Sequence, residues 1–308
     1  MHGDGAHWPA HYPEIQAYRS WLHDDFDTAT GSVKQAAAHA RRRPTVLWYL
    51  MGFFPRALDA RAIVHDYRGL SVGPAAAFKD HCKRHLNHRP HVRIFLNNKV
   101  QEILHFRDRV PFCHIDMGVP ACVQTLRGQT KRFDFCYLGE ISRERGSQRM
   151  LAAFVRRYGQ RKTFALIGRC CAAIRHAFAR HANLLFLGAR PHTEALRLAA
   201  QSRVGVCYFP YHRPHRWQTP TKLLEYAALH LPIVANDSPA NIHALRLYRI
   251  NAYLTGVDVF ATLPDQLELP SNRGVDATSW LWTSRLQQSG IKEHLLALSS
   301  CPAAVTRR

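Results

Sequence analysis

Between Phe133 and Gly188, three apolar, β-rich runs in succession each end on a glycine, and a helix-compatible stretch follows each. The runs are Phe133–Leu138 before Gly139, Thr163–Ile167 before Gly168 and Asn183–Leu187 before Gly188. The stretches after them are Gly146–Tyr158, Cys171–His181 and Thr193–Gln201. A strand at Val204–Phe209, a helix at Thr221–Leu229 and a strand at Pro232–Ala235 continue the series. Strands alternating with helices predict parallel βαβ units, hence an open, doubly wound α/β sheet. Ligands of such sheets lie beyond the carboxyl ends of the strands, where these glycines sit.

A similar alternation precedes it. Strands are expected at Thr45–Met51, Arg61–His65, Val92–Leu96 and Phe112–Ile115, with helices at Ala75–Leu86 and Lys99–Phe106. Helices are also expected at Pro13–His23 and Val33–Arg42, and a terminal helix with Trp280 and Trp282 over residues 278–296. Residues 121–134 are polar and basic and read as a linker. At 308 residues the chain suits two domains, expected at 1–130 and 131–270, with 271–308 as a helix crossing back to the first.

Lys and Arg total 42 against 22 Asp and Glu, a formal charge of +20 that attracts polyanions: nucleic acid, anionic lipid or diphosphate substrates. A nucleic-acid binder concentrates charge in a stripe interleaved with aromatics, whereas here Arg is spread along the chain, with clusters only at Arg41–Arg43 and Lys83–His91. No nucleic-acid partner is expected on that ground. The longest apolar runs, such as Thr45–Phe54, are about half of a bilayer span, and Met1–Ala10 lacks the apolar stretch of a signal peptide, so a cytoplasmic location is expected. The eight cysteines contain no CxxC pair and read as reduced thiols. His81, His85, His88 and His91 lack further ligands to complete a zinc site, and no metal is expected.

The chemistry-bearing segment is Thr219-Pro220-Thr221-Lys222-Leu223-Leu224-Glu225-Tyr226. Proline in the first turn after Thr219 reads as a helix start, and the free N–H groups of such a start favour a phosphate. Lys222 adds a cation. Glu225, three residues on along the same face, is a carboxylate able to accept from a ribose diol. Taken alone, the segment also reads as a capped surface helix with an ordinary Lys–Glu pair.

The region Leu166–Pro239 resembles the C-terminal domain of family 4 glycosyltransferases. Thr219 to Val234 is similar to that family's "s-P-t-K-l-l-E-Y-x-A-x-g-x-P-v-v", and Leu187-Gly188-Ala189-Arg190-Pro191-His192 to its "lG-x-r-p-y/h" turn. Val204 to Tyr211 is similar to its "d-v-x-v-x-P-y" strand, and Tyr137 to Gly146 to its domain opening. In the first half, Ile63-Val64-His65-Asp66 resembles a "v-v-H-D" strand end, and Cys113 to Gly118 an "i-p-n-G-v" segment. The resemblance implies a GT-B architecture: two Rossmann-like, doubly wound domains facing across a cleft, here with a reduced N-terminal domain. It implies a retaining, metal-independent enzyme that moves a sugar from a nucleoside-diphosphate-sugar, its co-substrate, to a glycan or lipid-linked acceptor. Surface polysaccharide assembly is the implied setting.

By the same resemblance, Glu225 binds the donor ribose. Arg145, Lys222 and the backbone near Thr221 and Gly139 hold the diphosphate, Ala189 and Arg190 read the base, and His65 touches the transferred sugar or the acceptor. Peripheral contact with an anionic inner membrane surface is a further implied partner. The sequence departs from the pattern at Glu140, where an arginine is frequent, and in its short first half. It departs again at Trp217, which stands where the family has an acid eight residues before the residue matched by Glu225. Two alternatives stay open: a degenerate protein that binds nucleotide-sugar without turnover, and a basic nucleic-acid-binding protein.

Overall fold

In the computed structural model, which describes residues 13–40, 45–50, 52–261, 263 and 268–300, the chain divides into two compact units. One comprises residues 1–117 and 282–308, the other 118–281. Met1–Ala10, Arg41–Arg43 and Cys301, which figure in the sequence reading, lie outside the described residues.

The first unit opens with helices α1 (Pro13–Leu22) and α2 (Val33–Ala40). Strands β1 (Val46–Leu50) and β2 (Ala62–Tyr67), helix α3 (Ala76–Leu86), strand β3 (Val92–Phe95), helix α4 (Asn98–Leu104) and strand β4 (Phe112–His114) follow. The four strands pair in parallel in the order β1-β2-β3-β4, so this small sheet follows the chain without a reversal. Side chains alternate across it. Val64 faces a cluster with Tyr18 and Leu22 of α1, whereas its neighbour Ile63 joins Leu47 and Tyr49 against Ala36 and Ala40 of α2.

The second unit starts at Gly118 and takes in the segment expected as a linker. Val119 donates its N–H to the Trp280 carbonyl, a 3₁₀ turn forms at Ala121–Val123, and Arg127 Nε reaches the Ala228 carbonyl at 2.9 Å. Strands and helices then alternate: β5 (Phe133–Leu138), α5 (Ser147–Tyr158), β6 (Phe164–Ile167), α6 (Ala172–Ala177), β7 (Leu184–Gly188), α7 (His192–Ala200) and β8 (Ser202–Cys207). The alternation closes with α8 (Thr221–Ala228), β9 (Ile233–Asn236), α9 (Pro239–Leu247) and β10 (Tyr253–Thr255). The six strands are parallel in the order β10-β9-β8-β5-β6-β7. Strand order reverses between β5 and β8, which makes their carboxyl ends the topological switch point.

After a 3₁₀ turn at Thr278–Trp280, two helices, α10 (Trp282–Gln288) and α11 (Ile291–Ser300), stand in place of the single terminal helix expected, and both belong to the first unit. Trp280 packs on Tyr248 in the second unit, and Trp282, two residues on, packs on Tyr18 in the first. The seven described cysteines are free thiols. No helix among the described residues is long and apolar enough to cross a membrane.

Two glycines in the second unit are fixed by close approach. Gly168 has φ +151°, and a Cβ there would stand 1.9 Å from the Gly139 carbonyl oxygen. At Gly205 a Cβ would meet the Tyr226 ring at 2.5 Å, because that ring crosses β8 to bring its hydroxyl to the Leu138 N–H. Gly168→Ala is expected to lower stability by about 3 kcal/mol or more, since strain and a backbone clash act together. Gly128→Ala, at φ +74° with nothing near the added methyl, is expected to cost about 1–2 kcal/mol. Urea unfolding of the two variants measures the difference.

Candidate functional site

The switch point is built from three segments: the turn Gly139–Gly146 after β5, the loop 208–220 after β8, and the first turns of α8. Helices α5 and α8 each follow a strand, so both start at this end of the sheet. Pro220 is the residue before α8, and no side chain caps the helix, so Thr219 gives it no cap. Gly146 precedes α5 with φ +70°, also without a side-chain cap. Backbone carbonyls take most of the N–H groups that open α5, Ser147 donating to Ser142 and Arg149 and Met150 to Gly146. In α8, Leu223 donates to Pro220, and the N–H groups of Thr221 and Lys222 open the helix.

Lys222 and Glu225 are 7% and 5% exposed, which excludes the solvated surface pair that the segment alone also allowed. Lys222 Nζ sits 3.7 Å from the centre of the Tyr137 ring, near the end of β5, and 3.5 Å from the Tyr208 carbonyl oxygen, just past β8. It also stands 3.6 Å from where a Cβ of Gly139 would be, so a side chain there would crowd it. The ammonium group therefore lies where β5 and β8 part. A buried cation costs free energy unless its donors are met, and a ring face plus one long contact meets them only in part.

Glu225 Oε1 lies 2.5 Å from His192 Nε2, a short contact between α8 and the first residue of α7. The sequence gives His192 no role of its own. Its one signal is its place directly after the Gly188-Ala189-Arg190-Pro191 turn, which begins at a left-handed Gly188 (φ +75°). Ala189 and Arg190 are exposed in that turn. Arg190 Nε donates to the Leu187 carbonyl, and its guanidinium lies 3.7 Å from Glu194. Thr221, half-buried, begins α8.

Arg145 Nε lies 3.5 Å from Glu140 Oε2, so the acid at the first departure from the resembled pattern faces Arg145. His215, in the loop after β8, has its pKa lowered to about 4, first by burial and then by the positive charge of Arg145, with His212 and Lys222 adding to the effect. Arg145 and Lys222 thus both act on His215 from within the switch point. Trp217, in the 3₁₀ turn His215–Trp217, has the guanidinium groups of Arg213 and Arg216 near its ring.

A buried amide network holds the loop after β8. Asn236 Oδ1 accepts from Phe209 N–H and its Nδ2 donates to the Phe209 carbonyl, both at 2.8 Å. Asn241 Nδ2 donates to the carbonyls of Cys207 and Asn236. Neither asparagine stands out in the sequence.

His65 belongs to the first unit and is buried there. The rings of Tyr49 and Phe54 stack 4.3 Å apart and lie 5.7 and 5.9 Å from the imidazole. Its Nδ1 is 3.3 Å from Tyr67 Oη, and Nε2 is buried with no hydrogen-bonding partner among the described residues. Burial, then the charge of Arg93, lowers its pKa to about 4, so it is neutral at pH 7. Beside it, burial pushes the Asp66 carboxyl up to about 6.

These shifts fix a pH dependence. An unfolded histidine gains a proton near pH 6.5, whereas folded His215 gains one only near 4. Between these values the unfolded state binds more protons, so stability falls as pH drops from 6.5 to 4 and the loss levels off below. His65 contributes with the same sign. Asp66 opposes it, because the folded carboxyl protonates near 6 and the unfolded one near 3.8. His215→Gln is therefore expected to flatten the fall of Tm over the acid part of this window, as thermal unfolding at a series of pH values would record.

No protein-family model and no curated protein sequence matches the chain. Solved structures do match its fold. AviGT4, a glycosyltransferase involved in avilamycin A biosynthesis, superposes with a TM-score of 0.58 at 12% identity, over 94% of this chain and 90% of that one. A UDP-forming α,α-trehalose-phosphate synthase of Burkholderia xenovorans, in complex with glucose-6-phosphate, gives 0.58 at 14% identity, over 92% and 84%. Anabaena Alr3699/HepE in complex with UDP gives 0.53 at 11% identity, over 87% and 82%. The chain shares their GT-B fold.

Proposed function

We propose that the protein is a nucleotide-sugar-dependent glycosyltransferase whose donor site is the switch point of the second unit. The observation that carries this reading is Lys222, a buried cation between the ends of β5 and β8, one helical turn before the buried carboxylate of Glu225. A nucleoside diphosphate matches that pair: its phosphates complete the contacts of Lys222, and its ribose hydroxyls donate to Glu225. Similarity of fold to a structure that holds UDP supports the choice of ligand class.

In the proposed reaction the bond between the anomeric carbon and the diphosphate oxygen breaks, and the diphosphate leaves with the bonding electrons. The acceptor's hydroxyl oxygen bonds the anomeric carbon and passes its proton to the leaving diphosphate oxygen. Positive groups already in place around the leaving group lower the barrier without having to reorganise. Lys222, Arg145 and the opening N–H groups of α8 are proposed to supply them, with Thr221 and Gly139 as backbone contacts. Ala189 and Arg190 form the turn proposed to read the base. His192 holds one oxygen of Glu225 and leaves the other for the ribose. His65 is proposed to contact the sugar or the acceptor as a neutral imidazole.

Contact with an anionic membrane is proposed from the basic charge. Retention of configuration, a glycan or lipid-linked acceptor, and a role in surface polysaccharide assembly are proposed from the family resemblance of the motifs. Donor chemistry without a metal is proposed on the same basis. A second reading, binding without turnover, is favoured by Trp217 at the position of the family's second acid.

Calorimetric titration with UDP, GDP and ADP tests the proposal. One nucleotide is expected to bind selectively, and Glu225→Ala to weaken it about thirtyfold, the effect of removing a charged acceptor worth about 2 kcal/mol. Failure of the folded protein to bind any of the three would overturn the donor site. Slow hydrolysis or transfer of the bound donor separates the enzyme from the degenerate binder. Affinity for nucleic acid that falls steeply with salt and ignores Glu225→Ala would favour the remaining alternative.

A further inference from the structure

Helix α3 of the first unit has the sequence Ala-Ala-Phe-Lys-Asp-His-Cys-Lys-Arg-His-Leu, with one acid. That acid, Asp80, is turned inward, where its carboxylate accepts from Ser71 N–H and lies 3.6 Å from Lys83 Nζ. Arg84 is also turned inward, its guanidinium donating to the carbonyls of Ile103 and Leu104. What the helix presents to solvent is apolar and cationic. Phe78 is 66% exposed, Leu86 is 55% exposed, and Val72 in the loop leading into the helix is 58% exposed. Phe78 and Leu86 stand eight residues apart and share a face with His81 and His85, whose ring centres lie 4.4 Å from each other. Lys79, anchored on the Val72 carbonyl at 3.1 Å, lies exposed beside Val72. Arg89, three residues past the helix and near enough to Asp108 to lower its pKa, is exposed too.

Large apolar side chains grouped on one exposed helix face and rimmed by cations mark an interaction surface. The combination selects the occupant. Valine, phenylalanine and leucine gain by entering the boundary between headgroups and acyl chains, while lysine and arginine gain from anionic headgroups. Aliphatic side chains gain nothing from a phosphate backbone, and a second copy of the chain would bring like charges together. We infer that α3 and the loop before it dock the protein on an anionic lipid bilayer. Docking there brings the protein to a membrane-borne acceptor, a purpose that rests on the function proposed above, whereas its test does not.

Sedimentation of the full chain with vesicles of phosphatidylcholine alone, or mixed with phosphatidylglycerol, reads this surface directly. The chain is expected to partition onto the mixed vesicles and to be released by salt. Phe78→Glu and Leu86→Glu are each expected to cut partitioning about tenfold, the effect of withholding one large apolar side chain from the interface. Both positions are exposed, so the fold should be kept, which circular-dichroism melting checks. Leu254→Glu, an exposed apolar position in the second unit, is expected to leave partitioning unchanged. Equal partitioning of wild type and Phe78→Glu would overturn the inference, as would binding to duplex DNA in preference to vesicles. UDP titration of the same samples keeps the two readings apart, since a wild type that binds UDP but not the mixed vesicles sinks the surface alone.

Discussion

Lys222 reaches from the second residue of α8 to the ends of two strands, lying over the ring of Tyr137 and near the carbonyl of Tyr208. Burying an ammonium group is unfavourable unless its three donors are met, and the protein meets them only in part. The contact exists because the strand order reverses between β5 and β8, which opens space at their carboxyl ends. The neighbouring elements are shaped around that space. Gly139 has no side chain to crowd the ammonium, and Glu225, one turn further along α8, is held by His192 from α7. An anion at this place would complete the cation's contacts, which is the physical root of the proposed donor site.

The surrounding loops are fixed by backbone fit as much as by side chains. Gly168 packs its Cα against the Gly139 carbonyl, closer than any side chain permits, and so sets the path of the turn after β5. On the other side, Asn236 and Asn241 hold the loop after β8 through buried hydrogen bonds to Phe209 and Cys207. A satisfied buried amide network rigidifies what it touches, because any slip leaves donors or acceptors unpaired. The two loops that frame Lys222 are thus anchored independently, one by close packing and one by polar bonds.

Much of the second unit was legible because its strands are apolar runs closed by glycine, a local pattern that needs no knowledge of partners. Phe133–Leu138 has the same bounds in expectation and structure, and Thr221 starts α8 as expected. Contacts between distant residues were not legible. Nothing in the spacing shows that His192 meets Glu225 33 residues away, or that Lys222 turns to Tyr137 instead of pairing with Glu225. The 121–134 segment looked like a linker because it is polar, yet Arg127 ties it to the end of α8. Helix α9 is not among the sequence expectations, although Ser238 accepts from Asn241 N–H and Pro239 opens the helix, both ordinary start signals. His65 could be placed at a strand end from its motif, but its enclosure depends on Tyr49 and Phe54, which come from a neighbouring strand and loop.

The grip of Lys222 on a diphosphate is tested most directly by comparing UDP with uridine. Calorimetry of both ligands on the wild type and on Lys222→Met isolates the charge, since methionine keeps most of the side chain's length without it. The substitution is expected to weaken UDP by about tenfold or more while leaving weak uridine binding nearly unchanged, because a charge-assisted contact of about 1.5–3 kcal/mol is lost at the phosphates alone. Equal weakening of both ligands, or no weakening of UDP by a variant that melts like the wild type, would contradict it.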